Sequence, residues 1–383
     1  MNADEDQTRK FEQARRKSQQ NLGGRLEALR AGRMPQALEP FAKAYLGLFL
    51  EIDEALSPEQ RVRQVAGAAV AEAVLEGLVA VAEAGAAPAP EQIGRDLARN
   101  ALQPYGYVLL AGLARRTQIS AEAALLDLPG ATLRAGLCYR YANTPNQPAG
   151  WARYLVAQRP QMAAETFLAF WRPLLAVTDD NLPGLYHMLH QPEWTPLVRR
   201  VLLPLLAAWP GCKAPLLRDL LHAALRLVDS EALLERARAV LAADGELEVK
   251  KRIYWLCTAY LLSPADFAQA LADYAGRRRE KTLPLLDFVV QVLDDADPGF
   301  RFEPRWLAHL LRIIAPTFRR NEPLTGGLDA TSGRVLWLFE RLGQDASPEA
   351  VAAVNELRKI RVMRIYRDVL SQMAEAQRRA AGA

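Results

Sequence analysis

An all-α fold is what this sequence predicts, in the form of an irregular α-solenoid of antiparallel helix pairs, and three observations carry that expectation. Apolar residues recur at steps of three and four over most of the chain, the spacing of a single helix face. No run of alternating β-branched residues bounded by hairpin turns interrupts them. Pro, Gly or Asp divides the middle of the chain into segments of about 12 to 18 residues, as stacked helix pairs require.

The elements follow in order. Residues 1–33 are charged and poor in large apolar side chains, which predicts a solvated helix or arm. A helical subdomain spans 34–141, its buried face begun by Phe41, Tyr45, Leu48, Phe49 and Ile52. Ser57-Pro58-Glu59-Gln60 supplies an N-cap, a proline at the first helical position and a first-turn carboxylate, so a helix starts there. The most apolar stretch, 65–87, carries Glu72, Glu76 and Glu83 as one acidic stripe and therefore predicts a soluble helix instead of a membrane span. Short helices over 91–102, 105–116 and 121–126 lead to the Pro/Asn/Gly-rich loop at 141–150, where a subdomain boundary is expected.

The helical-repeat array occupies 150–320. Trp194, Leu197, Val198, Val201, Leu202, Leu205, Leu206 and Trp209 form one apolar stripe, with Pro204 predicting a kink. Further helices are expected over 216–227, 230–241, 249–262, 265–274, 283–293 and 304–318. The last section, 330–383, should hold a helix at 332–342 and then an extended basic helix over 347–379 with a fraying tail.

Composition narrows function more than it defines it. The net charge is only +4 and the basic side is 40 Arg to 8 Lys, a mild excess for a nucleic-acid binder. Cys138, Cys212 and Cys257 lie too far apart for a disulfide framework or a zinc pair, which fits a reducing cytoplasm, and the polar N-terminus has no export signal. Gly276 to Thr282 lacks the second glycine and preceding strand of a phosphate-binding loop, and Asp294-Asp295-Ala296-Asp297 lacks the ligand order of a calcium loop. Asp229 with Glu248 and Lys250 imitates a nuclease set, but the surrounding pattern is helical, and acids at a helix N-terminus are favoured by the macrodipole alone. His187 and His190 share a helix face without a third ligand nearby, and His222 and His309 read as half-buried helical residues. Neither a catalytic constellation nor a cofactor or metal site is expected. Basic clusters stand at 15–17, 250–252, 277–279, 319–320 and 358–367, and would serve nucleic acid if several lined one surface.

Four stretches, taken in order, carry a family resemblance: LEALRAG at 26–32; LPGLY at 182–186 through HQPEW at 190–194; LLPLL at 202–206 with Trp209-Pro210; and LLHAAL at 220–225, Asp229 and KRIYW at 251–255 with Ser263-Pro264. Gly326-Gly327, the segment 334–342 and ASPEA at 346–350 continue it. Together they resemble the C-terminal helical, sensor-like region of large bacterial NACHT proteins, relatives of the STAND class, without the NTPase module. The resemblance implies a non-catalytic protein-binding module of antiphage defence, whose partner is a phage-derived trigger or a separate NTPase or effector chain. The alternatives are a nucleic-acid-binding helical scaffold using the Arg clusters, or an enzyme of unrecognised type. Tyr186, Trp194, Arg199, Trp255, Arg277, Arg278 and Arg279 are the expected partner contacts, because aromatic and Arg side chains dominate interface hot spots.

Overall fold

The computed structural model describes residues 23–49, 51–53, 55–101, 104–144, 150–178, 182–209, 212–243, 247–276, 278–295, 302–318 and 331–382. Among these the regular structure is entirely helical, so the all-α class is the observed one. The chain divides into two compact units, Met1–Leu205 and Leu206–Ala383. The Pro-rich loop expected as a boundary therefore lies inside the first unit, because the helix that follows it packs back onto the helices before it.

In the first unit, α1 (Leu26–Arg30), α2 (Pro35–Tyr45), α3 (Pro58–Ala66) and α6 (Tyr105–Ser120) surround α4 (Ala68–Glu83). Two of the sequence expectations are refined here. The helix expected over 65–87 spans Ala68–Glu83, since Gly67 at φ +76° separates it from the helix before it in a backbone region that L side chains rarely enter. The cap on α3 is a complete capping box: Ser57 Oγ accepts from Gln60 N (3.3 Å) and Gln60 Oε1 accepts from Ser57 N (2.9 Å).

The acidic stripe on α4 also acquires a purpose. Glu72 pairs with Arg63 of α3 (2.7 Å), Glu76 with Arg30 of α1 (3.3 Å) and Glu83 with Arg116 of α6 (3.2 Å). Each pair is solvent-accessible and contributes at most about 1 kcal/mol, so the stripe orients neighbours more than it stabilises them. The backbones pack closely at Gly77, where an added Cβ would stand 2.0 Å from the Leu29 carbonyl oxygen.

The remainder of this unit holds α5 (Pro90–Ala98), α7 (Gly130–Asn143), α8 (Gly150–Gln158), α9 (Pro160–Trp171) and α10 (Leu185–His190). A 3₁₀ turn at Glu122–Asp127 replaces the short helix expected there. Next, α11 (Thr195–Ala208) carries the predicted stripe from Trp194 to Trp209, every member of which is buried. The division between units falls within it.

In the second unit the helices are α12 (Ala214–Leu227), α13 (Ser230–Ala242), α14 (Val249–Leu262), α15 (Pro264–Ala275), α16 (Arg279–Asp294), α17 (Pro304–Ile314), α18 (Thr331–Gln344), α19 (Pro348–Lys359) and α20 (Arg367–Gly382). Here α12, α14, α16, α18 and α20 touch in succession, while α15, α17 and α19 form a second row against them. That neighbour order runs through the second unit. The first unit does not keep it, since α1 packs on α4 and α2 on α6.

The extended basic helix expected over 347–379 is broken. α19 stops at Lys359, Ile360 turns to extended backbone (φ −78°, ψ 120°), a 3₁₀ helix covers Arg361–Tyr366, and α20 begins at Arg367. The break buries Met363 and Tyr366, each 1% exposed, and lets Tyr366 Oη donate to the Phe318 carbonyl (3.0 Å). The tail is anchored too. Gln377, nearly fully buried, donates through Nε2 to the carbonyls of Leu342 (3.2 Å) and Asp345 (2.8 Å), groups that the end of α18 leaves open.

Two stability outcomes follow from this packing. Gly77→Ala should lower the unfolding free energy by about 3 kcal/mol, the upper end for overpacking, because the blocking group is a backbone carbonyl that cannot rotate away. Ser57→Ala should cost about 1 kcal/mol through loss of the cap. Urea titration of the full chain by circular dichroism checks both.

Candidate functional site

Breaking the C-terminal run creates a concavity. The last turn of α19, the 3₁₀ segment and the first turn of α20 enclose a cleft of about 840 Å³. Arg358, Lys359, Arg364 and Arg367 line it, with Asn355 and Ser371 as neutral polar groups and Met363 and Leu370 as its apolar floor. Each of the four cations is exposed and each floor residue is 1% exposed.

The charges in the cleft are not balanced from within. Lys359 Nζ lies 2.6 Å from Glu356, but among the described residues Arg358, Arg364 and Arg367 have neither an ion pair nor a side-chain hydrogen bond. Arg358 and Lys359 sit in the last turn of α19, where the helix dipole welcomes cations. Arg367 sits at the opposite kind of end, the start of α20, where the dipole opposes it, while Arg364 lies in the last turn of the 3₁₀ helix before it.

A smaller cavity of about 450 Å³ lies on another face of α19, between it and α17, lined by Trp306, His309, Arg312, Ala353 and Leu357 among others. His309 stacks on Tyr260 with ring centroids 5.6 Å apart, and its Nδ1 is buried without a hydrogen-bond partner. Burial, reinforced by the Arg312 charge, pushes the imidazole down to about 4. Burial also lowers His222, whose Nε2 lies 3.3 Å from the Asp295 carboxylate, a contact that offsets only part of the effect. The thiols of Cys138 and Cys257 are fully buried and pushed up for the same reason.

The expected contact residues separate into distinct environments. Tyr186 is 65% exposed on α10 with its ring 4.4 Å from that of His190, and Arg199 is exposed on α11. Trp194 and Trp255 are corrections, since both are buried, at 4% and 3% exposure. Trp194 packs edge-on to Tyr141 (6.0 Å) and donates from Nε1 to Gln191 Oε1 (3.1 Å). Trp255 belongs to α14, which α12, α13, α15 and α16 all contact. Arg277 lies outside the described residues. Arg278 is exposed just before α16, and Arg279, its first residue, holds its guanidinium over the Phe318 ring (5.2 Å).

The other chemistry weighed from sequence resolves into structural roles. Asp229 caps α13 by accepting from Ala232 N (2.9 Å), and Glu248 precedes α14 with its carboxylate 3.5 Å from Lys251. Among the described residues no group of three metal-ligating side chains converges. The clusters at 15–17 and 319–320 and the Asp297 end of the acidic turn lie outside the described residues. Sequence reasoning singled out 358–367 as basic but placed it on a continuous helix. The signal for the break was present: Ile360, Met363 and Tyr366 recur every three residues, the period of a 3₁₀ helix.

No protein family, curated protein or solved structure compared with the chain matches it.

The histidines give a pH dependence of defined sign. An unfolded histidine takes up its proton near pH ~6.5, whereas folded His309 does so near 4. Between those values the unfolded chain binds more protons, so this stabilisation is complete above pH ~6.5 and is lost as pH falls toward ~4. His309→Phe, which keeps a ring against Tyr260 and has nothing to titrate, should flatten the fall of the urea midpoint across that window.

Proposed function

We propose that the chain is a non-catalytic helical binding module that recognises a partner protein, as its resemblance to the sensor-like region of bacterial NACHT proteins implies. The observation that supports this most is the stacking of α12 to α20, because helix pairs in such order bury a continuous core and leave side chains at their edges free for recognition. Three groups that could move protons are buried and shifted away from neutral pH. The thiols of Cys138 and Cys257 are raised by burial, and His309 is lowered to about 4. Free cysteines accord with work in the cytoplasm, and no cofactor is invoked.

Within the first unit the contact is assigned to Tyr186, an exposed aromatic held by His190, and to the exposed Arg199. Both residue types dominate hot spots when a partner desolvates them. The partner is a trigger protein of phage origin, or an NTPase or effector chain.

A nucleic-acid scaffold would need its basic clusters turned outward together. In those at 250–252 and 277–279 one member each instead packs on a ring: Arg252 lies over Tyr274 at 5.2 Å and Arg279 over Phe318 at 5.2 Å.

The test is a nuclease-treated pull-down with the tagged full chain over a series of salt concentrations, comparing wild type with Tyr186→Ala. Tyr186→Ala should reduce recovery of the partner at least tenfold while leaving the melting temperature unchanged. Recovery of nucleic acid alone, released by nuclease or salt, would reject the protein-binding reading.

A further inference from the structure

We infer that the cleft between α19 and α20 is a binding site for a small organic polyphosphate, a molecule carrying at least two phosphate groups on an organic moiety. The inference is independent of the partner protein assigned to Tyr186.

The charge arrangement is the first argument. Carboxylates are available to arginines elsewhere in this unit: Arg218 pairs with Asp219, Arg238 with Asp266, Arg305 with Glu303, and Arg334 with Asp287. At the cleft Arg358, Arg364 and Arg367 go without, among the described residues, and no carboxylate lines it. One of these guanidinium groups, Arg367, also stands at the positive end of the sixteen-residue α20. Gathering unpaired cations beside one another, one of them where a helix dipole already repels it, costs free energy in the empty protein, and a bound anion removes that cost.

Ligand chemistry follows from the groups present. A guanidinium presents a planar fork that engages phosphate through two parallel hydrogen bonds, and three of them beside Lys359 carry more positive charge than the charge of about −2 on a single phosphate balances. The Asn355 amide and Ser371 hydroxyl offer neutral hydrogen bonds, and the Met363 and Leu370 floor offers an apolar face for a ring or chain. The volume, about 840 Å³, is that of a small-molecule site.

The surroundings favour a compact ligand over a polymer. Ile365, beside the cleft, is an exposed apolar residue, and Asp368 places a carboxylate on the first turn of α20. Farther along α20 the cations are used locally: Arg378 donates to the Ala374 carbonyl, and Arg379 pairs with Glu375. A phosphate backbone leaving the cleft along this helix meets no continuing track of free charge.

The experiment is calorimetric titration of the full chain, at physiological ionic strength, with ATP, with inorganic tripolyphosphate and with adenosine. ATP should bind saturably, tripolyphosphate more weakly, and adenosine not at all. The double substitution Arg364→Ala with Arg367→Ala should weaken ATP at least tenfold, whereas Arg379→Ala should leave it unchanged, with melting temperatures confirming that both variants fold. Absence of saturable ATP binding would overturn the inference, as would an affinity that the double substitution does not alter. So would a single-stranded oligonucleotide of about thirty nucleotides that binds more tightly than ATP through the same two arginines, with a steep salt dependence.

Discussion

Each unit is assembled around a helix that is apolar on nearly every side. In α14 all nine residues from 253 to 261 are buried, and in α4 nine of sixteen are, including Gly77 at the Leu29 carbonyl. A helix apolar all round is stable in water only when other helices enclose it. That requirement places four neighbours around α14 and brings α1, α2, α3 and α6 onto α4. It also decides which charges the fold can tolerate: the carboxylates of α4 are confined to one stripe, and each meets an arginine from a different neighbour.

Against this economy of paired charge, the C-terminal corner stands apart. The interactions that create it are apolar and remote from its charges, for Met363 and Tyr366 turn inward and Tyr366 holds the Phe318 carbonyl. The same turn brings Arg358 of α19 together with Arg364 and Arg367. A packing event thus gathers cations that a straight helix would have distributed around its circumference. No carboxylate of the lining opposes the resulting field.

Much of the fold was legible because burial leaves a periodic trace. The stripe from Trp194 to Trp209, the helix at Val249–Leu262 and the Ser57 cap could all be read from spacing and residue type, since each depends on neighbours in sequence. Trp194 and Trp255 were misplaced because residue type alone cannot separate an interface aromatic from a core one. In α14 the apolar residues continue around the helix, so no polar face marks which side is exposed.

By itself the sequence determined the all-α class, most helix positions and the identity of the basic clusters, because helix formation and capping are local. Only the tertiary structure decided which clusters are absorbed and which stay open. Lys281 and Arg252 are drawn over Tyr274, and Arg279 over Phe318, by contacts across the fold. The 358–367 run becomes a cleft because burying Tyr366 against Phe318 and Phe339 outweighs the continuation of a helix that local propensity alone would have extended.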